Sequence, residues 1–154
     1  MNSFEPRISV ATIVERDGQF LCVQERIDER SVINQPAGHV EAGERIVQAA
    51  FRETLEETAW QVDITALLGL YLYQPKARGP VYHRYCLIGT PLRHDPGQKL
   101  DRGVETALWL SPEDLRSAPN LRSPLVLRCV EDYLGGRRLP LDAIYEHPWP
   151  LQRG

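Results

Sequence analysis

Glu53, Glu56 and Glu57 have a spacing that can do chemistry. They stand in the run GHVEAGERIVQAAFRETLEETAW, residues 38–60, which is free of proline and rich in helix formers from Ala49 onward. At about 100° per residue, positions i, i+3 and i+4 share one side of a helix, so the three carboxylates fall on one narrow face. Like charges so placed repel by roughly a few tenths of a kcal/mol. A hard divalent cation would relieve them, because it takes oxygen ligands and keeps waters that phosphate displaces. The competing reading is a solvated helix face. Against it, Gly38 and Gly43 make a turn just ahead of the helix. Glu44 lies eight residues before Arg52, about two helical turns, within reach if the chain enters the helix at a suitable angle. Ile46, Val47, Ala49, Ala50 and Leu55 also give the helix an apolar surface to bury.

Gly38, Glu44, Arg52, Glu53, Glu56 and Glu57 stand in register with a longer pattern: glycine, five residues, Glu, seven residues, then Arg-Glu-apolar-x-Glu-Glu-x-Gly-apolar. This stretch resembles the Nudix box. It departs at Thr54, where the family has a larger aliphatic, and at Ala59, where it has glycine; neither change removes a carboxylate. The resemblance covers residues 7–135 and implies a single Nudix domain over 1–154, an α/β/α sandwich with a mixed sheet. It further implies hydrolysis of a phosphoanhydride, X-P-O-P, with Mg2+ (Mn2+ substituting) held by Glu53, Glu57, Glu56 and a backbone carbonyl near Gly38. Glu56 is ligand or general base, Glu105 is the second candidate base, and Arg52 pairs with Glu44 to hold the loop on the helix.

The elements that must position these groups are legible in part. Residues 7–15 are rich in β-branched residues and read as a buried strand, Asp17-Gly18 as a hairpin turn, and residues 20–24 as the returning strand. Residues 25–33 are polar and read as an irregular loop whose Arg26 and Arg30 either overhang a ligand or are simply solvated. Residues 62–73 and 81–88 read as strands, the first bent at Gly69, with a polar loop over 91–102 and a further strand over 103–110. Alternation sets Tyr82, Arg84 and Cys86 against His83, Tyr85 and Leu87, one set facing a ligand cleft. Arg84 in so apolar a strand is either a phosphate clamp or half of an internal ion pair. Tyr82, like Tyr71 and Tyr73, either stacks on a base or packs in the core. His39 reads as a surface or hydrogen-bonding residue rather than a ligand. Ser111-Pro112 opens a short helix and Ser123-Pro124 a longer one ending at Gly135-Gly136. Tyr145 and Trp149 suggest that the proline-interrupted tail packs on the domain.

A length of 154 residues gives enough core for one domain. The net charge of −3 provides no broad basic field, which argues against duplex DNA and leaves a small phosphorylated substrate. Cys22, Cys86 and Cys129 are scattered, without a CxxC pair, and read as small buried hydrophobes of a reducing compartment. With neither leader nor membrane span in view, the expectation is a cytoplasmic protein, a monomer or weak dimer.

Residues 35–39 (QPAGH), 120–126 (NLRSPLV) and Pro140-Leu141 resemble the bacterial phosphatases of the family. That resemblance implies release of orthophosphate from nucleoside di- and triphosphates and from thiamine-pathway diphosphates, among them hydroxymethylpyrimidine diphosphate and thiamine diphosphate. Pyrophosphate release from nucleoside triphosphates, and hydrolysis of ADP-ribose, of dinucleoside polyphosphates or of RNA 5′ ends, are the alternatives within the family. A non-catalytic ligand sensor on the same fold is the alternative of a different class, disfavoured because every box glutamate is present.

Overall fold

The computed structural model describes residues 5–148. Two strands open the chain, β1 (Arg7–Arg16) and β2 (Gln19–Ile27), joined at Asp17 and Gly18, whose φ values of 52° and 75° suit a tight hairpin. They pair only beside the turn, at Glu15–Phe20 and Arg16–Gln19, and then splay. Beyond the splay, β1 takes β4 (Ala37–His39) antiparallel on one side and β6 (Tyr82–His94) parallel on the other, and β6 carries β5 (Trp60–Tyr73) at the edge. β2 instead pairs with β3 (Arg30–Asn34) and β7 (Val104–Leu110). The result is a mixed seven-stranded sheet.

Alternation along β1 builds two cores. Val10 and Val14 meet Ala49 and Ala50 of α1 (Ile46–Thr58), whereas Ala11 and Ile13 meet Val126, Cys129 and Val130 of α3 (Pro124–Leu134), with α2 (Pro112–Ser117) beside it. Helices therefore cover both faces, as the α/β/α expectation required. All three cysteines are free and buried. No helix among the described residues is long and apolar enough to cross a membrane.

Residues 25–33 are not an irregular loop. β2 runs on to Ile27 and turns into β3 through Asp28 and Glu29, with φ of 46° and 64°. These positions demand left-handed backbone, and Asp-Glu fills them without the glycine that would have announced the turn. β6 likewise continues through residues 91–94. α1 stops at Ala59, which adopts left-handed backbone (φ 59°) where a glycine would sit without strain.

The tail binds back through backbone and carboxylate. Leu139 exchanges two backbone hydrogen bonds with Leu67 on the β5 edge (2.8 and 2.9 Å), and Leu141 and Ile144 pack on the α1-side core. Glu146 then accepts a hydrogen bond from the Ile46 backbone N–H at 3.1 Å. The first turn of α1 carries no acidic residue of its own, so Glu146 supplies the missing negative charge at the positive end of the helix. Glu146→Ala is expected to lower stability by about 1 kcal/mol, read as a shift of the denaturant midpoint at constant slope. Tyr145 does not pack as expected, being 78% exposed; Trp149 lies outside the described residues.

Candidate active site

The outward face of α1 is organised by Arg52. Its Nε and Nη2 donate to the two oxygens of Glu44 at 2.6 and 2.9 Å, so the chain does enter the helix at an angle that closes the eight-residue span. Nη1 donates to Glu53 at 2.7 Å and Glu56 at 3.1 Å, and Nη2 also reaches the His39 carbonyl at 3.1 Å. One guanidinium thus binds three box carboxylates, tying Glu53 and Glu56 on the helix to Glu44 in the preceding loop. Its bond to Glu44 holds that carboxyl below its usual range. Burial pushes Glu53 up, opposed by Arg52 and assisted by repulsion from Glu56 and Asp101.

Glu53 lies against β4. A Cβ added to Gly38 would overlap the Glu53 carboxylate, so this strand position must be glycine for the acid to occupy its place. Oxygens of Glu53, Glu56 and Asp101 fall within 4.8 Å of one another. Asp101 is absent from the box and sits in a loop that periodicity cannot place. The loop is fixed by capping the end of α1: the Asp101 N–H donates to the Glu56 carbonyl at 3.0 Å, and Gln98 Nε2 to the Leu55 carbonyl at 2.9 Å. Glu57 stands deeper. It is buried, its Oε2 has no hydrogen-bond partner among the described residues, and its carboxyl is pushed up to about 9, mainly by burial and then by the negative charges of Glu25 and Glu53. An acidic side chain with an orphaned buried oxygen, beside a cluster whose donors are all carboxylate oxygens, fits a hard divalent ion.

Glu105 is not part of this group. The β2–β7 register shifts between Gln24 and Glu25, leaving Glu105 between the Thr106–Gln24 and Val104–Glu25 pairs. The bulge turns its carboxylate to Gln24 (2.8 Å), Ser31 (2.8 Å) and Arg26 (2.7 Å). Glu25, not Glu105, is the β2–β7 acid whose charge acts on Glu57.

On the α3 face a cleft of roughly 460 Å³ is lined by Tyr82 and Arg84, together with Arg30, Lys76, Tyr73 and Arg122. Arg26 does not line it, because its guanidinium is spent on Glu105. Arg84 is buried, and no carboxylate pairs with it among the described residues. Tyr71 is a structural residue, donating to Asp132 at 2.7 Å. Cleft and carboxylates meet at β4: His39 pairs with Ser9, a cleft residue, while the neighbouring Gly38 abuts Glu53.

The family model for the NUDIX domain matches residues 4–128. Phosphatase NudJ of Escherichia coli strain K12 is 35% identical over 151 residues, 98% of each chain. The Shigella flexneri protein of the same name matches equally, at 35% over 98% of each chain. A solved NUDIX hydrolase from Nitrosomonas europaea superposes with a TM-score of 0.90 at 39% identity, covering 93% of this chain and 98% of that one.

Proposed function

The chain belongs to the NUDIX family of hydrolases, and within it we propose a magnesium-dependent phosphatase that releases orthophosphate from nucleoside di- and triphosphates and from thiamine-pathway diphosphates. The observation that carries this reading is the carboxylate cluster of Glu53, Glu56 and Asp101 above the buried Glu57. The 35% identity to phosphatase NudJ supports orthophosphate as the product.

Glu53, Glu56, Glu57 and Asp101 would hold Mg2+, or Mn2+ in its place, and Gly38 leaves room for the Glu53 carboxylate. When bound, the ion neutralises charge on the diphosphate and acidifies water. The remaining work falls to the chain. Glu44 fixes Arg52, and Arg52 fixes Glu53 and Glu56, so the acids are oriented before substrate arrives. Glu56, more exposed than Glu53 or Glu57, accepts the proton of the attacking water. The water oxygen bonds the terminal phosphorus, the bridging oxygen leaves with the rest of the molecule, and orthophosphate is released. Arg84 and Tyr82 hold the leaving part in the cleft. Glu105 acts at one remove, keeping Arg26 and Ser31 of the β2–β3 hairpin in place beside it.

A colorimetric phosphate assay with magnesium tests the reading on ADP, ATP, hydroxymethylpyrimidine diphosphate and thiamine diphosphate. The expected result is phosphate without added pyrophosphatase. A requirement for pyrophosphatase would reassign the chain to pyrophosphate release. Silence on the whole panel under both conditions would overturn the proposal.

A further inference from the structure

The cleft on the α3 face contains a buried charge to which the proposed reaction gives no counter-charge. Arg84 is 9% exposed. A guanidinium carries five N–H donors, and burying it without a counter-charge is costly. Its one side-chain hydrogen bond among the described residues is long, 3.4 Å from Nη1 to Gln35 Oε1. Gln35 is itself buried and anchored through Nε2 to the Val126 carbonyl at 2.7 Å, which aims its oxygen at Arg84. Arg30, Lys76 and Arg122 line the same cleft, against one acid, Asp28. None of the four cations is in an ion pair among the described residues. The chain as a whole has a net charge of −3, so this concentration of positive charge is local.

We propose that Arg84 is the centre of an anion subsite that selects substrates carrying a further phosphate group, apart from the phosphoanhydride that is cut. The proposal rests on the catalytic reading above and narrows its substrate class. Arg84, Ser9 and His39 lie side by side across β6, β1 and β4. At roughly 4.8 Å per strand, the Arg84 backbone is about 10 Å from β4, where Gly38 meets Glu53. The glutamates are presented from α1, whereas Arg84, two residues from Cys86, faces α3 on the other side of the sheet, which leaves its guanidinium for an anion other than the phosphates held at the carboxylates. The cleft has room for more than a bare anion, and Tyr73 and Tyr82 give it ring faces. A neutral pyrimidine would fill the space and leave the buried charge uncompensated, whereas a second phosphate answers both features.

Two measurements test this. The first is calorimetric titration of inorganic phosphate into the full chain in EDTA. Saturable binding is expected without metal, weakened about 10-fold or more by Arg84→Gln. Glu57→Gln should leave that binding in place. The second compares kcat/KM, with magnesium, for ADP and for ADP carrying a 3′-phosphate, which share the same scissile bond. The wild-type ratio should favour the 3′-phosphorylated nucleotide by about 10-fold or more, through KM, and fall toward unity in Arg84→Gln. Arg84→Lys should retain part of the preference. Should Arg84→Gln fail to fold, Arg122→Ala, on the exposed rim, must lower the ratio instead. A wild-type ratio near one, or phosphate binding insensitive to both Arg84→Gln and Arg122→Ala, overturns the subsite. If neither nucleotide is cut, the catalytic reading fails, while the calorimetry still decides the subsite.

Discussion

Glu57→Gln is expected to cut metal-dependent turnover by about 10²–10³-fold and, in EDTA at pH 8, to make the protein more stable than wild type. Both effects come from one feature, a carboxyl buried beside other acids with an oxygen that has no partner. Its folded value is pushed up to about 9 against an ordinary value of 4.5, so the metal-free fold retains a proton that the unfolded chain gives up. For a group whose folded value is raised, stability is fully present below the unfolded value and is lost as pH rises toward the folded one. Metal-free wild type should therefore lose stability from about pH 4.5 to about pH 9. Glutamine cannot ionise, so the variant escapes that loss, and its amide can donate to the neighbouring carboxylates of Glu25 and Glu53. A divalent ion needs the ionised carboxylate, so uptake should release a proton near neutral pH, and added Mg2+ should raise the wild-type melting temperature more than that of the variant. Thermal melts from pH 5 to 9, with and without magnesium, read this directly beside a turnover assay. Turnover within twofold of wild type would remove Glu57 from the mechanism. Equal pH dependence of the metal-free melts would remove the buried charge.

What sequence reasoning reached, and what it missed, follows from which interactions are local. Three acids at helical spacing are visible because period and charge reinforce one another along a single element. The Glu44–Arg52 pair was readable only as a condition on the entry angle of the chain, because a two-turn span closes or fails with the loop before it. Asp101 had no such signal. It joins Glu53 and Glu56 because residues 95–101 cap the end of α1, and capping carbonyls are not written in side-chain types. Glu25 entered the site when residues 25–27 proved to be strand rather than loop. Glu105 was proposed from the resemblance alone, and the register shift that turns it to Gln24, Arg26 and Ser31 belongs to the pair of strands rather than to either sequence. For Arg84 the sequence left clamp and ion pair open, and the lack of an ion pair to Arg84 among the described residues, with Asp28 the one acid lining the cleft, favours the clamp.

Gly38→Ala is expected to reduce kcat/KM by about 100-fold or more at a modest cost in stability, because the group it displaces is the far end of a side chain and not the backbone. The added methyl would occupy the place of the Glu53 carboxylate. Glu53 is 9% exposed, so it has little room to retreat. Its Oε1 is held at 2.7 Å by Arg52, which also holds Glu56 at 3.1 Å and Glu44 at 2.6 Å. Displacing one acid therefore disturbs the whole constellation, and a shift of about 1 Å in such a group is enough to cost about 10²-fold. Gly43→Ala is the matched control. Gly43 has a φ of +80° with nothing near its missing Cβ, so alanine there strains the backbone by about 1–2 kcal/mol without touching Glu53. The two variants should separate: activity lost at Gly38 with the fold largely intact, stability lost at Gly43 with activity largely intact. Denaturant midpoints and kcat/KM for both proteins decide it. A Gly38→Ala enzyme with ordinary turnover would mean that the position of Glu53 against β4 has no part in the reaction.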